Sequence, residues 1–235
     1  MKVLVVGATG VIGKAVVDVF ANDETNFVVA TSRSDQQVEK EDSKNVQFYC
    51  LDLSDMETAR KQTATIIQSE LSLDAIVIAS GILKTSFSLV ADNEVEQMQV
   101  NYLGVIEILK ILIRKYLNRG LKSVVLIAST SAINSDGGRL GYSSSKAALI
   151  SAGKSLAREL GPKGVRVNSV SPGLIMSEMV ESTINPEELN TLKGRLFLKR
   201  LGSAEEVATV IRFLVSNDSN YITGQNIVVD GGMSW

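Results

Sequence analysis

Short β-branched apolar runs alternate with longer helical patterns along the whole chain, and this alternation limits the fold more than any other feature. Strand candidates are Val3–Val6, Phe27–Ala30, Val46–Cys50, Ala75–Ala79, Ser123–Ala128, Val165–Ser171 and Asn226–Val229. Most read as continuous apolar cores, as parallel strands covered on both faces do. Val46–Cys50 and Val165–Ser171 are more mixed, which suits an edge or a site. Helical patterns follow Gly10 and run from Ser54 to about Ser69, Asp92 to about Asn118, Tyr142 to Leu160 and Ser203 to about Val215. Ser54 and Ser203 each stand before an acidic first turn, as N-caps do. The pattern predicts an α/β fold with a doubly wound parallel sheet of about seven strands and helices on both faces. No repeat or Pro/Gly-rich linker interrupts residues 1–235, so a single domain is expected.

Absences narrow the chemistry. The 235 residues contain no histidine and one cysteine, Cys50. That composition excludes a zinc site of the usual N/S type, a Ser-His-Asp triad, a Cys-His pair and an internal disulfide. The net charge of −2 carries no footprint for nucleic acid or an anionic membrane surface. No apolar stretch reaches the roughly 18 residues of a membrane span. A cytoplasmic protein with a small-molecule partner is expected, and proton chemistry must fall to Tyr, Lys, Ser, Asp or Glu.

The first strand runs into Gly7-Ala-Thr9-Gly10-Val11-Ile12-Gly13 and then a helical pattern. Such a turn lets backbone N–H groups approach a pyrophosphate at the positive end of a helix. The glycines are spaced three and three, unlike the common G-x-G-x-x-G, and glycine-rich turns also close ordinary βα units. An acid about 20 residues further on usually binds the adenosine 2′-hydroxyl of NAD. Ser32 and Arg33 stand there instead, with Asp35 close behind. A hydroxyl followed by a guanidinium suits a 2′-phosphate, so NADP(H) is expected to be preferred, with NAD(H) possible. A solvated loop arginine is the alternative. Asp52 and Leu53 follow the third strand at a height suited to lining an adenine pocket, although a lone acid there also serves as a cap or turn residue.

Tyr142 and Lys146 lie four apart at the start of a helical pattern and share one face. A lysine ammonium beside a phenol stabilises the phenolate and moves its pKa toward neutrality. With Ser129 thirteen positions before Tyr142, Asn101 in V-N-Y-L-G-V, and the strings from Val165 to Met179, Lys199 to Ala208 and Tyr221 to Gly232, the chain resembles the short-chain dehydrogenase/reductases over essentially its whole length. It is similar in particular to their single-domain, 3-oxoacyl-carrier-protein-reductase-like members. The resemblance implies a Rossmann-type fold and hydride exchange between a nicotinamide and a carbonyl/alcohol pair. It implies Tyr142 as general acid/base, Lys146 as holder of the phenolate and the ribose hydroxyls, Ser129 on the reacting oxygen, and Asn101 keeping a relay water at a local helix break. It also implies cofactor contacts at Ala79, Ser80 and Gly81 after the fourth strand, and at Pro172, Gly173, Ile175 and Ser177, where the family usually has threonine at the last.

The chain departs from the family in two places. Its glycine spacing resembles the longer, epimerase-like branch, and the family's N-N-A-G reads Ile78-Ala79-Ser80-Gly81. Residues 177–198 are expected to form a substrate lid. The aromatic content of 5% argues against sugar stacking, and a 3-oxoacyl thioester, a steroid-like alcohol or a small ketone would each be compatible. The pattern from Val100 to Leu117 is apolar on nearly every side, and the helix after Tyr142 is rich in small residues. Together they predict a homodimer or homotetramer interface; the alternative cover is the segment after Ser177. The rival to an enzyme is a nucleotide-binding regulator or scaffold on the same fold.

Overall fold

The computed structural model describes residues 1–34, 44–85, 93–135, 137–177 and 185–234. In chain order the elements are β1 (Lys2–Val6), α1 (Val11–Ala21), β2 (Phe27–Ser32), β3 (Val46–Cys50), α2 (Met56–Ser69), β4 (Ala75–Ile78) and α3 (Glu94–Met98). A π turn (Gln99–Leu103) leads into α4 (Gly104–Tyr116), followed by β5 (Ser123–Ile127), α5 (Leu140–Leu160), β6 (Arg166–Pro172), α6 (Pro186–Arg195), α7 (Ala204–Val215) and β7 (Asn226–Val229). The seven strands form one sheet in the order β3-β2-β1-β4-β5-β6-β7, and every pairing is parallel.

Alternate residues of each central strand enter two cores. Leu4, Val6, Ile76, Ile78, Val124 and Leu126 meet Ile66, Ile108, Leu112 and Leu149 from α2, α4 and α5. Val3, Val5, Val77 and Val125 meet Val16, Phe20, Val207 and Ile211 from α1 and α7 on the other face. Burial on both sides is why these strands read as unbroken apolar runs. β3 is an edge strand, in keeping with its mixed composition.

The helix ends correct the sequence reading in two places. Ser203 caps α7 through a capping box with Glu206. At α2, however, Asp55 is the cap and accepts from the Thr58 N–H at 2.7 Å. Ser54 instead donates its N–H to Asp52 Oδ1 at 2.9 Å, because the carboxylate of Asp52 closes a turn two residues on. The continuous helix expected from Asp92 to Asn118 is divided by the π turn at Gln99–Leu103 and ends at Tyr116. Helix α6 lies inside the segment read as a lid, of which 178–184 fall outside the described residues. None of the described helices is long and apolar enough to cross a membrane.

Candidate active site

The strand order reverses between β1 and β4, and ligands of open α/β sheets bind at the carboxyl ends of the strands at such a point. A cleft of about 290 Å³ opens there, lined by Gly7, Thr9, Gly10, Arg33, Ser80 and Gly81 among others. Gly7 has φ +82°, and a Cβ on it would lie 2.7 Å from the Ser80 backbone. A Cβ on Gly13 would lie 2.0 Å from the Gly7 carbonyl oxygen, so the first turn of α1 packs directly on the loop. Gly10 is different: its nearest neighbour would be 3.6 Å away. It precedes α1 in extended conformation with no capping side chain. The first turn of α1 thus has no side-chain cap on its N–H groups at the positive helix end beside the cleft, a donor set that fits a dinucleotide's diphosphate. Val11 is exposed beside this turn, whereas Ile12 packs into the α1 core.

Thr31 and Leu51, two cleft residues that the sequence reading missed, complete the floor. Thr31 Oγ1 accepts from Gly7 N at 3.2 Å and its carbonyl accepts from Ala8 N at 2.9 Å. It thus ties the loop after β1 to the end of β2. Leu51 and Leu53 line the cleft, while Asp52, which alternates with them along the extended chain, turns into its own turn. Arg33 lines the cleft rim, is exposed, and makes no ion pair among the described residues. Ser32 is buried beneath it. Asp35 lies outside the described residues.

Ala79, Ser80 and Gly81 follow β4. The Ser80 hydroxyl is buried without a hydrogen-bond partner among the described residues, an orphan polar atom at the edge of a cleft suited to a polar ligand. Around Gly81 the side chains of Lys146 and Asn101 converge: a Cβ there would be 3.0 Å from Lys146 Nζ and 3.3 Å from Asn101 Oδ1. Asn101 lies in the π turn, fully buried. Its Oδ1 accepts from Ile82 N at 2.7 Å, and its Nδ2 donates to the Ile82 carbonyl at 2.9 Å and to Ser145 Oγ at 3.0 Å. π turns inside α-helices are frequent at functional sites because they loosen one turn of backbone hydrogen bonding.

Ser129 leaves the end of β5, and its Oγ accepts from Ser131 N at 3.1 Å. Tyr142 and Lys146 project from the first turns of α5. The Lys146 ammonium, 3% exposed, donates to the Ile127 carbonyl at 2.8 Å and reaches the Ser80 carbonyl at 3.5 Å. It stands 6.0 Å from the centre of the Tyr142 ring. Burial lowers the Lys146 pKa to about 8. Burial raises that of Tyr142, while a hydrogen bond with Ser129 and the positive charge of Arg139 pull it back. Pro172 ends β6 beside β5, and Gly173 packs on Asp230, where a Cβ would meet the Asp230 Cβ at 2.6 Å. Ile175 bridges to Gly202, and Ser177 is the last described residue before residue 185. These four line a separate stretch of the strand ends, not the cleft at Gly7.

The sequence pattern of the enoyl-(acyl carrier protein) reductase family matches residues 7–234. The chain is 31% identical to the 3-oxoacyl-[acyl-carrier-protein] reductase FabG of Thermotoga maritima, over 98% of its own length and 96% of the relative's. It is 31% identical to glucose 1-dehydrogenase of Gluconobacter oxydans, over 99% and 91% of the two chains. The chain is a short-chain dehydrogenase/reductase. Among solved structures, a 4-hydroxyisoleucine dehydrogenase complexed with NADH superposes with a TM-score of 0.91 at 26% identity, over 99% of this chain and 98% of that one. As a short-chain dehydrogenase/reductase, the protein is a nicotinamide-dependent oxidoreductase that transfers hydride at a CH–OH/C=O centre.

Proposed function

We propose that this short-chain dehydrogenase/reductase is a single-domain, NADP(H)-preferring enzyme that interconverts a carbonyl and a secondary alcohol, with Tyr142 as general acid/base. The observation that carries the reading is the meeting of Tyr142, Ser129, Lys146 and Asn101 at the strand ends beside a cleft whose glycine turn suits a diphosphate. When bound, the nicotinamide supplies the hydride in reduction and accepts it in oxidation. Tyr142 gives its hydroxyl proton to the carbonyl oxygen as the alcohol forms, and takes it back in the reverse direction. Ser129 hydrogen-bonds the same oxygen. Lys146 favours the phenolate and is the residue that would hold the ribose hydroxyls, and Asn101 keeps the π turn open for a relay water. Gly7, Thr9, Gly10, Gly13 and the Ala79–Gly81 backbone would hold the diphosphate and ribose, Ser32 and Arg33 the adenosine 2′-phosphate, and the stretch Pro172–Ser177 the nicotinamide.

Tyr142→Phe tests the reading. On a panel of NADPH-dependent reductions of 3-oxoacyl thioesters, steroid ketones and small ketones, the variant should lose about 10²–10⁴ of turnover. Its NADPH affinity should stay within about twofold, since only one hydroxyl is removed. Full turnover in the variant overturns the role of Tyr142. A wild type that binds cofactor and turns over nothing on the panel supports a nucleotide-binding regulator instead.

A further inference from the structure

Lys146 divides its ammonium between two backbone carbonyls, which leaves the Tyr142 phenol a second cationic neighbour that has no place in the sequence reading. Arg139 is the residue before α5, three positions ahead of Tyr142. Its carbonyl accepts from Ser143 N at 2.8 Å, which fixes the backbone of Arg139 to the first turn that carries Tyr142. Its guanidinium turns back across the active-site loop, and Nη1 donates to Ser131 Oγ at 3.3 Å. Ser131 is buried, and its N–H is the group that holds Ser129 Oγ. The guanidinium is thus linked to Ser129 through Ser131, and from its place three residues before Tyr142 its positive charge acts on that phenol.

We propose that Arg139 is a positioning residue of this active site, tethering the Ser131–Ser129 turn and setting a permanent positive charge beside the Tyr142 hydroxyl. This rests on the reading of Tyr142 as the acid/base. An arginine keeps its charge at every working pH, whereas Lys146 is shielded and easily neutralised in its pocket. The charge acts in the direction that favours the phenolate, against the burial that disfavours it. Other ionisable groups among the described residues lie on the elements packed about Tyr142. Lys146 lies one turn on along α5, and Tyr102 lies in the π turn that packs on α5. From α3, Glu94 faces Gly141, with its Cα and Cβ against the glycine.

The charge can be read without a substrate. The protein is labelled at its five tyrosines with difluorotyrosine, whose greater acidity brings ionisation into the pH range of the folded state. The Tyr142 fluorine resonance is assigned by its loss in Tyr142→Phe and titrated in the wild type, Arg139→Gln and Arg139→Lys. Glutamine can still donate to Ser131 but carries no charge; lysine keeps the charge. The expected result is a Tyr142 midpoint about half a pH unit or more higher in Arg139→Gln and close to wild type in Arg139→Lys. Coincident midpoints in all three proteins overturn the proposal, as does an equal rise in both variants, which would mean packing and not charge. The turnover panel with Tyr142→Phe stands apart from this titration, so failure of the acid/base assignment shows there and failure of the Arg139 role shows here.

Discussion

Gly13 sits so close to Gly7 that a Cβ on it would overlap the Gly7 carbonyl oxygen at 2.0 Å. Gly10, midway between them, has room for a side chain in the protein alone. The two glycines should therefore fail differently. Gly13→Ala forces the backbone of the loop to move and should cost about 1–3 kcal/mol in thermal or urea denaturation, together with cofactor binding. Gly10→Ala should stay within about 0.5 kcal/mol of wild type in stability, yet bind dinucleotide at least tenfold more weakly, because the methyl occupies the approach of the diphosphate.

Arg33 decides the cofactor prediction. Isothermal titration should show NADP binding more tightly than NAD. Arg33→Ala should lose about tenfold or more in NADP affinity, the worth of roughly one charge-assisted hydrogen bond, with NAD affinity unchanged. Equal affinities in the wild type would sink the assignment.

Lys146 should leave a signature in stability against pH. Its folded pKa of about 8 lies below the ordinary lysine value of 10.5, which the unfolded chain keeps. Between those values the unfolded state binds more protons, so the contribution of this residue to stability rises with pH through that window. The slope approaches roughly 1.4 kcal/mol per pH unit and is absent below about pH 8, where both states are protonated. Urea denaturation of the cofactor-free wild type and Lys146→Met across this range should show the rise in the first protein and not in the second.

Gly141 presses on α3: a Cβ would meet Glu94 Cα at 2.7 Å and Gln97 Nε2 at 2.9 Å. Gln97 is buried and tied to Asn93 and to the Lys84 N–H, so it cannot yield freely. Gly141→Ala should push away the first turn of α5 and Tyr142 with it. Turnover should fall by about 10²-fold, as a displacement near 1 Å can cause, while NADPH affinity changes much less. Equal losses in both would place the damage in the fold as a whole.

The outer faces of α4 and α5 leave an open groove of about 580 Å³, lined by Tyr102, Ile106, Ile113, Ala152 and Leu156. The described part of the segment after Ser177 does not line it. An apolar patch of this kind marks an interaction surface, and a dimer or tetramer is the expected occupant. Light scattering at micromolar concentration should report it, and Leu156→Glu should shift the mass toward the monomer. A monomeric wild type would remove the interface.

Much of this protein is local and so was legible in its residues. The doubly wound sheet follows from apolar runs that need cover on two faces. The Tyr142–Lys146 pair follows from helical spacing, and the N-cap at Ser203 from a side chain that can reach a free N–H. Other features depend on which distant segments meet. Thr31 serves as the tie between β1 and β2 only because the parallel register sets it beside Gly7. Arg139 is an ordinary loop arginine in the sequence, and it enters the site because the chain folds back from Ser131 to α5. Periodicity and short spacings determine elements and their faces, since those arise from neighbours along the chain. The burial of Lys146, the orphaned Ser80 hydroxyl and the meeting of Thr31 with Gly7 were decided by tertiary structure alone, since each depends on segments brought together across the sheet.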